Sequence, residues 1–344
     1  MTAPPETTLE EKVAFLASPA SYRPQPPEVA TKETHMSWVF LAGDRAYKLK
    51  KPVRASFLDF TTLDAREKDC REELRLNRRF AEDVYLGVAP LTRSAAGRLS
   101  IDGEGLPIDW LVVMRRLPRD RMLDSAIEAG VVGRIEATSV AERLAEFYKR
   151  AEPADIAPDA YVANFLEEHA QNKAVLTAPQ FDLDGARVAE ILRFVEHMLR
   201  DGNELLKARV ESRRIVEGHG DLRPEHVCLG DPPMLIDCLE FNRRMRLVDP
   251  VDELTYLGLE CSLLGADWIA PLLLDVYRER SGDAPSPEII AFYRAYRACL
   301  RARLSLIHIL EHDRRKPEKW LPLARRYLER AAPERVTPDL AARS

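Results

Sequence analysis

The side chains with the most chemical capacity in this 344-residue chain stand in one stretch, His219-Gly220-Asp221-Leu222-Arg223-Pro224-Glu225-His226. It is followed by Val227-Cys228-Leu229 and then by Met234-Leu235-Ile236-Asp237. Carboxylates take up protons and hold hard divalent cations, imidazoles suit softer metals, and a guanidinium offers a planar fork to oxyanions. The apolar runs on either side of Pro232-Pro233 read as two strands of a small hairpin, with an acid-bearing loop leading in and an aspartate leading out. That arrangement aims Asp221 and Asp237 at one point.

Set beside the catalytic-loop pattern H-R-D-L-x-x-x-N of protein kinases, the first block keeps His219, Asp221 and Leu222 in register and puts His226 where the Asn stands. Asp237 falls where a kinase carries its magnesium-binding Asp. Arg246-Leu247-Val248-Asp249-Pro250-Val251-Asp252-Glu253-Leu254 resembles the G-D-P-x-x-D-L-A segment of aminoglycoside phosphotransferase and choline kinase relatives. Upstream, Arg45-Ala46-Tyr47-Lys48 matches the Ala-x-Lys of V-A-I-K. On these residues the chain resembles the aminoglycoside phosphotransferase-like and choline kinase-like family, and within it the uncharacterised bacterial aminoglycoside phosphotransferase-related proteins. The latter likeness runs through Thr34-His35-Met36-Ser37-Trp38-Val39-Phe40, Tyr47-Lys48-Leu49-Lys50-Lys51-Pro52, Phe57-Leu58-Asp59-Phe60, Glu72-Glu73-Leu74-Arg75-Leu76-Asn77-Arg78 and Cys238-Leu239-Glu240-Phe241-Asn242. Some members carry an additional P-loop domain; with no G-x-x-x-x-G-K-[ST], this chain looks like the kinase-like half alone.

The resemblance implies an α+β, two-lobed protein-kinase-like fold, with a small β-rich N-terminal lobe holding one key helix and a larger, mostly helical C-terminal lobe. The expected division is 1–115, 116–335 and a flexible tail, 336–344. It implies ATP and Mg²⁺, with Mn²⁺ as an option, and transfer of a phosphoryl group to a small-molecule hydroxyl. Asp221 would be the catalytic base, Arg223 would face the transferred phosphate and His219 would brace the loop. Lys48, fixed by Glu73 on the helix (Glu72 being the alternative), would hold the nucleotide phosphates. The strand ending at Met114 would present backbone groups to an adenine, and Asp237 with His226 would hold the metal. His226 departs from the family pattern, since imidazole suits zinc or manganese better than magnesium. A nucleotide-binding pseudokinase with weak or no transfer is therefore the alternative, and nucleotidyl transfer to a protein is a third.

These residues need elements to position them. Thr8–Ala17 has helical spacing with Thr7 or Thr8 as N-cap, and the prolines from Pro19 to Pro27 follow as an extended connector. Thr34–Lys51 gives two apolar runs around Gly43-Asp44, a β-hairpin. In its second run Ala46, Lys48 and Lys50 share one face and Tyr47 and Leu49 the other. Taken alone, Lys48, Lys50 and Lys51 read as a solvated edge strand with protective lysines, a reading that the downstream motifs outweigh. Asp64–Glu82 is helical, and docking by Leu76 and Phe80 turns Glu73 inward. Val88–Leu91, Gly97–Asp102 and Trp110–Met114 read as strands, with a lobe boundary near Arg115. Beyond it, Ser139–Arg150, Arg187–Lys207, Trp268–Ser281 and Glu288–Asp313 read as helices, and Pro333–Ser344 as frayed.

With 46% hydrophobic and 31% charged residues the chain can build a sizeable core, and a net charge of −5 argues against a general nucleic-acid binder. Five scattered cysteines without a C-x-x-C pair indicate reduced thiols rather than disulfides or a zinc ribbon. With no signal peptide and no long apolar run, the expected location is the cytoplasm without membrane contact. Arg243, Arg244 and Arg246 after the Asp237 strand favour an anionic acceptor, against the alternative of salt bridges to Asp249 and Asp252. His308-Ile309-Leu310-Glu311-His312 matches the inverted zinc-protease pattern, but two wildcards make that a weak signal, and packing and surface roles are expected.

Overall fold

A computed structural model describes residues 7–55, 58–310 and 316–331. The chain divides into two compact units, one running to Ser125 and including Glu225–Arg246, the other comprising Ala126–Pro224 and the residues from Leu247 on. The boundary drawn near Arg115 thus falls at the end of a strand, and the hairpin leading to Asp237 belongs with the sheet.

In the first unit, helix α1 (Leu9–Ala17) starts at a capping box in which the Thr8 hydroxyl accepts from the Glu11 N–H and the Glu11 carboxylate accepts from the Thr8 N–H. Strands β1 (Val29–Glu33), β2 (Ser37–Ala42) and β3 (Arg45–Lys50) follow, with Gly43 supplying the positive φ of the β2–β3 turn. A minimal hairpin, β4 (Arg54–Ala55) and β5 (Leu58–Asp59), leads to helix α2 (Leu63–Ala81), capped by Thr62. Strands β6 (Tyr85–Arg93), β7 (Leu99–Ile101) and β8 (Leu106–Arg115) complete an antiparallel sheet of order β1-β2-β3-β8-β6-β7. β3 therefore lies inside the sheet, which overturns the edge-strand reading of its lysines.

Alternation divides the sheet's side chains into two cores. Tyr47, Leu49, Leu111 and Val113 pack with Phe40, Leu91 and Leu16 of α1, whereas Val112 packs with Cys70, Ala81, Val84 and Tyr85 on the α2 side. A buried Asp109 fastens both helices to β8, accepting from Lys12 at 2.9 Å and Arg66 at 2.8 Å.

Past α3 (Leu123–Glu128) the second unit is helical: α4 (Arg134–Arg150), α5 (Pro158–Leu176), α6 (Gly185–Arg200) and α7 (Asn203–Glu211). The expected single helix over Arg187–Lys207 is broken at Asp201-Gly202, where Gly202 takes a non-helical conformation. A two-residue strand β9 (Val216–Glu217) precedes the loop of Asp221. The hairpin β10 (Val227–Cys228) and β11 (Met234–Leu235) pairs antiparallel in the first unit, as expected. Strand β12 (Leu247–Val248) pairs with β9, and α8 (Pro250–Leu263), α9 (Ile269–Ser281), α10 (Pro287–Leu310) and α11 (Pro317–Arg330) follow. All five cysteines are buried and none forms a disulfide. No helix among the described residues is long and apolar enough to cross a membrane.

Candidate active site

In the first unit, β3 turns Lys48 and Lys50 toward α2. The Lys48 ammonium lies 2.9 Å from Glu73 Oε1 and 2.7 Å from Asp237 Oδ1. Glu73 is fully buried, as are the docking residues Leu76 and Phe80. Glu72 instead is half-buried and turned from Lys48, pairing with Arg75 and Arg246 at 2.7 Å each. Of the two glutamates, then, Glu73 meets the lysine. Burial alone would lower the Lys48 pKa, but Asp237, Glu73 and Glu240 reverse that and hold it well above the ordinary value.

Asp237 follows β11 with φ +61°, a conformation that is unfavourable for a residue with a Cβ and must be held from outside. Its N–H donates to the Tyr85 hydroxyl at 3.0 Å, and the next N–H, of Cys238, donates to Asn77 Oδ1 at 2.9 Å. Burial pushes its carboxyl pKa up, yet the charges of Lys48 and then His226, with the Lys48 hydrogen bond, outweigh it and keep the group far below the usual carboxylate range. His226 Nε2 stands 3.5 Å from Asp237 Oδ2. Among the described residues no three acid, His or Cys side chains cluster as a metal site. An ionised carboxylate whose side chain is 47% exposed nonetheless fits a Mg²⁺ that takes its remaining ligands from phosphates and water, the usual manner for that ion.

Met114 pairs with Ala46 across the sheet. The N–H groups that follow are engaged within the unit, Arg115 donating to the Val84 carbonyl and Arg116 to that of Asp44, both at 2.8 Å. The end of β8 also carries an apolar patch, in which Met114, Leu117, Met234 and Ile236 are partly buried on the α2-side core. Arg246 is buried, pairs with Glu72 at 2.7 Å and donates to the Glu240 carbonyl at 3.0 Å. Arg243 and Arg244 are exposed.

In the second unit, the loop of Asp221 is gripped from beneath by Glu253, in the first turn of α8. This buried carboxylate accepts from the N–H groups of His219 at 2.9 Å and Gly220 at 2.5 Å and from the Tyr148 hydroxyl at 2.8 Å. Gly218 makes room for it, since a Cβ there would run into Glu253 and Val248. His219 is buried, its Nδ1 3.4 Å from the Asp221 N–H, which suits a bracing role. Asp221 Oδ1 accepts from Tyr256 at 3.0 Å, and Oδ2 lies 2.9 Å from Arg223. Arg223 is thus turned to the aspartate two residues before it.

The remaining acids of the Asp249–Leu254 segment are structural. Asp249 caps α8 and pairs with Arg209, and Asp252 makes a two-pronged ion pair with Arg297 of α10 at 2.7 and 2.6 Å. His308 stacks on Trp320 at 4.4 Å, a packing role; Glu311 and His312 lie outside the described residues. Sequence reasoning missed Glu253, Tyr256 and Glu240 as site residues. For Glu253 and Glu240 a signal existed, because both lie inside segments of resemblance.

No family model matches the chain. It is 35% identical over 298 residues to uncharacterized proteins of Mycobacterium tuberculosis and Mycobacterium bovis, a match that takes in 85% of this chain and 57% of theirs. The chain thus spans little more than half the length of the curated relatives it matches. Among solved structures it is similar to a thermostable mutant of aminoglycoside phosphotransferase APH(4)-Ia, with TM-score 0.53 and 12% identity over 92% of this chain and 96% of that one. A choline/ethanolamine kinase family protein of Mesorhizobium loti gives 0.50 and 15% over 93% of each chain. The AMP-bound spectinomycin phosphotransferase APH(9)-Ia gives 0.50 and 11% over 94% and 97%. The chain has the protein-kinase-like fold that aminoglycoside phosphotransferases and choline/ethanolamine kinases share.

Proposed function

We propose that the protein is an ATP-dependent phosphotransferase acting on the hydroxyl of a small molecule, with Mg²⁺ or Mn²⁺ as its cation. The observation that carries this reading is the Glu73–Lys48–Asp237 chain of contacts on a fold shared with small-molecule kinases. Structural neighbours with AMP, or with AMP-PNP and hygromycin B, support a nucleotide as one substrate. Lys48 uses two of its three N–H directions on Glu73 and Asp237, which leaves one for a phosphate oxygen. Asp237, with His226 beside it, would hold the divalent cation, which neutralises phosphate charge when bound. The patch of Met114, Leu117, Met234 and Ile236 suits the face of an adenine.

Asp221, oriented by Tyr256, takes the proton of the acceptor hydroxyl as its oxygen bonds to the γ-phosphorus. The bond between that phosphorus and the β–γ bridging oxygen breaks, and its electrons leave with ADP. Because the proton moves late in a loose transition state, a carboxylate that is paired with Arg223 and need not be a strong base suits this role. The acceptor class is proposed to be anionic, now on Arg243 and Arg244 alone.

The second reading, a nucleotide-binding protein with weak or no transfer, rests on His226 at the position of the family's Asn. ATP turnover by wild type and Asp221→Ala, with Mg²⁺ and with Mn²⁺, across a panel of hydroxylated metabolites and aminoglycosides, decides between them. Turnover lost in Asp221→Ala with nucleotide binding intact supports the phosphotransferase. Tight binding with no turnover under either metal supports the second reading, and recovery of turnover in His226→Asn would place its cause at that residue.

A further inference from the structure

Lys50 has no place in the scheme above, yet it is fully buried with three carboxylates around its ammonium. Glu73 Oε2 lies at 2.7 Å, Asp69 Oδ2 at 2.6 Å, and Glu240 is in direct contact. The ring of Phe60 closes another side at 5.5 Å. Lys48 differs on each count, with two acid partners and a side chain still 12% exposed. A saturated, fully buried ammonium cannot reach a ligand; it can only decide where its partners stand.

One of those partners is shared. Glu73 gives Oε1 to Lys48 and Oε2 to Lys50, so the two same-face lysines of β3 take both of its oxygens and prevent the carboxylate from rotating. Another, Glu240, stands three residues beyond Asp237. Lys50 therefore links the helix that holds Glu73 to the segment that carries Asp237. Two further ties run in parallel. Asn77 donates to the Glu73 carbonyl and accepts from the Cys238 N–H, both at 2.9 Å, and Arg246 joins Glu72 to the Glu240 carbonyl.

We propose that Lys50 and Glu240 are positioning residues for nucleotide binding: Lys50 fixes Glu73 against Lys48 and, through Glu240, sets where Asp237 stands relative to that lysine. This rests on the reading of the Lys48 site as a nucleotide–cation site. Both side chains act through Glu73 and Asp237 and touch no ligand themselves.

The probe is ADP with Mg²⁺, its affinity measured by calorimetry on folded protein with thermal melting in parallel. Lys50→Met tests the cage directly, and Glu240→Gln, which keeps the Lys50–Glu73 pair, serves where Lys50→Met does not fold. Asp109→Asn is the comparison, because it breaks a buried ion cluster of the same unit away from Lys48. Glu240→Gln is expected to weaken ADP by about tenfold, the size of coupling found within one ion-pair network. Asp109→Asn should lower the melting temperature and leave ADP affinity unchanged. A Glu240→Gln protein that melts lower but binds ADP like wild type overturns the proposal, as does an equal loss of affinity in Asp109→Asn. Failure of the wild type itself to bind ADP would remove the nucleotide reading and this inference together; the first two results remove the inference alone.

Discussion

Replacing Arg297 by Met tests whether the Asp252 of the kinase-like segment is structural. Arg297 and Asp252 are both buried, bonded through two parallel contacts at 2.7 and 2.6 Å. Met keeps much of the side-chain volume and removes the charge, so the loss is electrostatic. Taking one partner from a buried ion pair costs about 3–5 kcal/mol, a large part of a typical total stability of about 5–15 kcal/mol. Burial already pushes the Asp252 pKa up against the opposing pull of Arg297, and without that pull it rises further. For an acid whose folded pKa is raised, stability is whole below the unfolded value, about 3.9, and is lost as pH climbs toward the folded one. The penalty of Arg297→Met should therefore be small near pH 4 and grow by up to about 1.4 kcal/mol per pH unit above it. Removing both charges, as Asp252→Leu with Arg297→Met, should recover most of the loss and abolish its pH dependence. Urea unfolding at several pH values from 4 to 8 reads all three proteins. A single mutant within about 1 kcal/mol of wild type at pH 8, or a pH-independent deficit, would refute the reasoning.

Glu73→Gln should weaken ADP with Mg²⁺ by at least about tenfold, because a neutral amide cannot anchor two ammonium groups, whereas Glu72→Gln, which leaves the Lys48 and Lys50 pairs in place and loosens only the Arg246 tie, should cost several-fold less; equal effects would contradict the assignment of Glu73. Tyr256→Phe removes one hydrogen bond to a carboxylate, worth about 1.5–3 kcal/mol, so turnover should fall by about ten- to a hundredfold while ADP affinity holds. Unchanged turnover in that variant would mean that Asp221 needs no such brace.

The elements that could be read from sequence were those with a polar face or a punctuating residue. α1 announced itself by its cap, the β2–β3 hairpin by Gly43-Asp44, and α2 by its apolar stripe. α8 left no such trace: all its residues from Pro250 to Leu263 are buried, so no polar side exists to reveal a helical period. β1 failed for the opposite reason. Four of its five residues are exposed, and it is held by backbone pairing to β2, which leaves no mark on side-chain pattern.

In the candidate site, the motif residues could be named from sequence, while the choice of ionic partners was not legible. Arg246 lies near Asp249 and Asp252 in sequence, yet it pairs with Glu72, while those aspartates take Arg209 and Arg297. Proximity along the chain says little here, because a Coulomb interaction is strong only where burial has removed the water, and burial is decided by the fold. Lys50 marks where sequence could have gone further. Once β3 is read as an internal strand, a lysine two places from Lys48 must share its face and lose its water. A buried ammonium must then find carboxylates, and the nearest helix offers Glu73 and Asp69 at one helical spacing. The lysine that looks like a decoration of the strand is thereby the one most constrained by it.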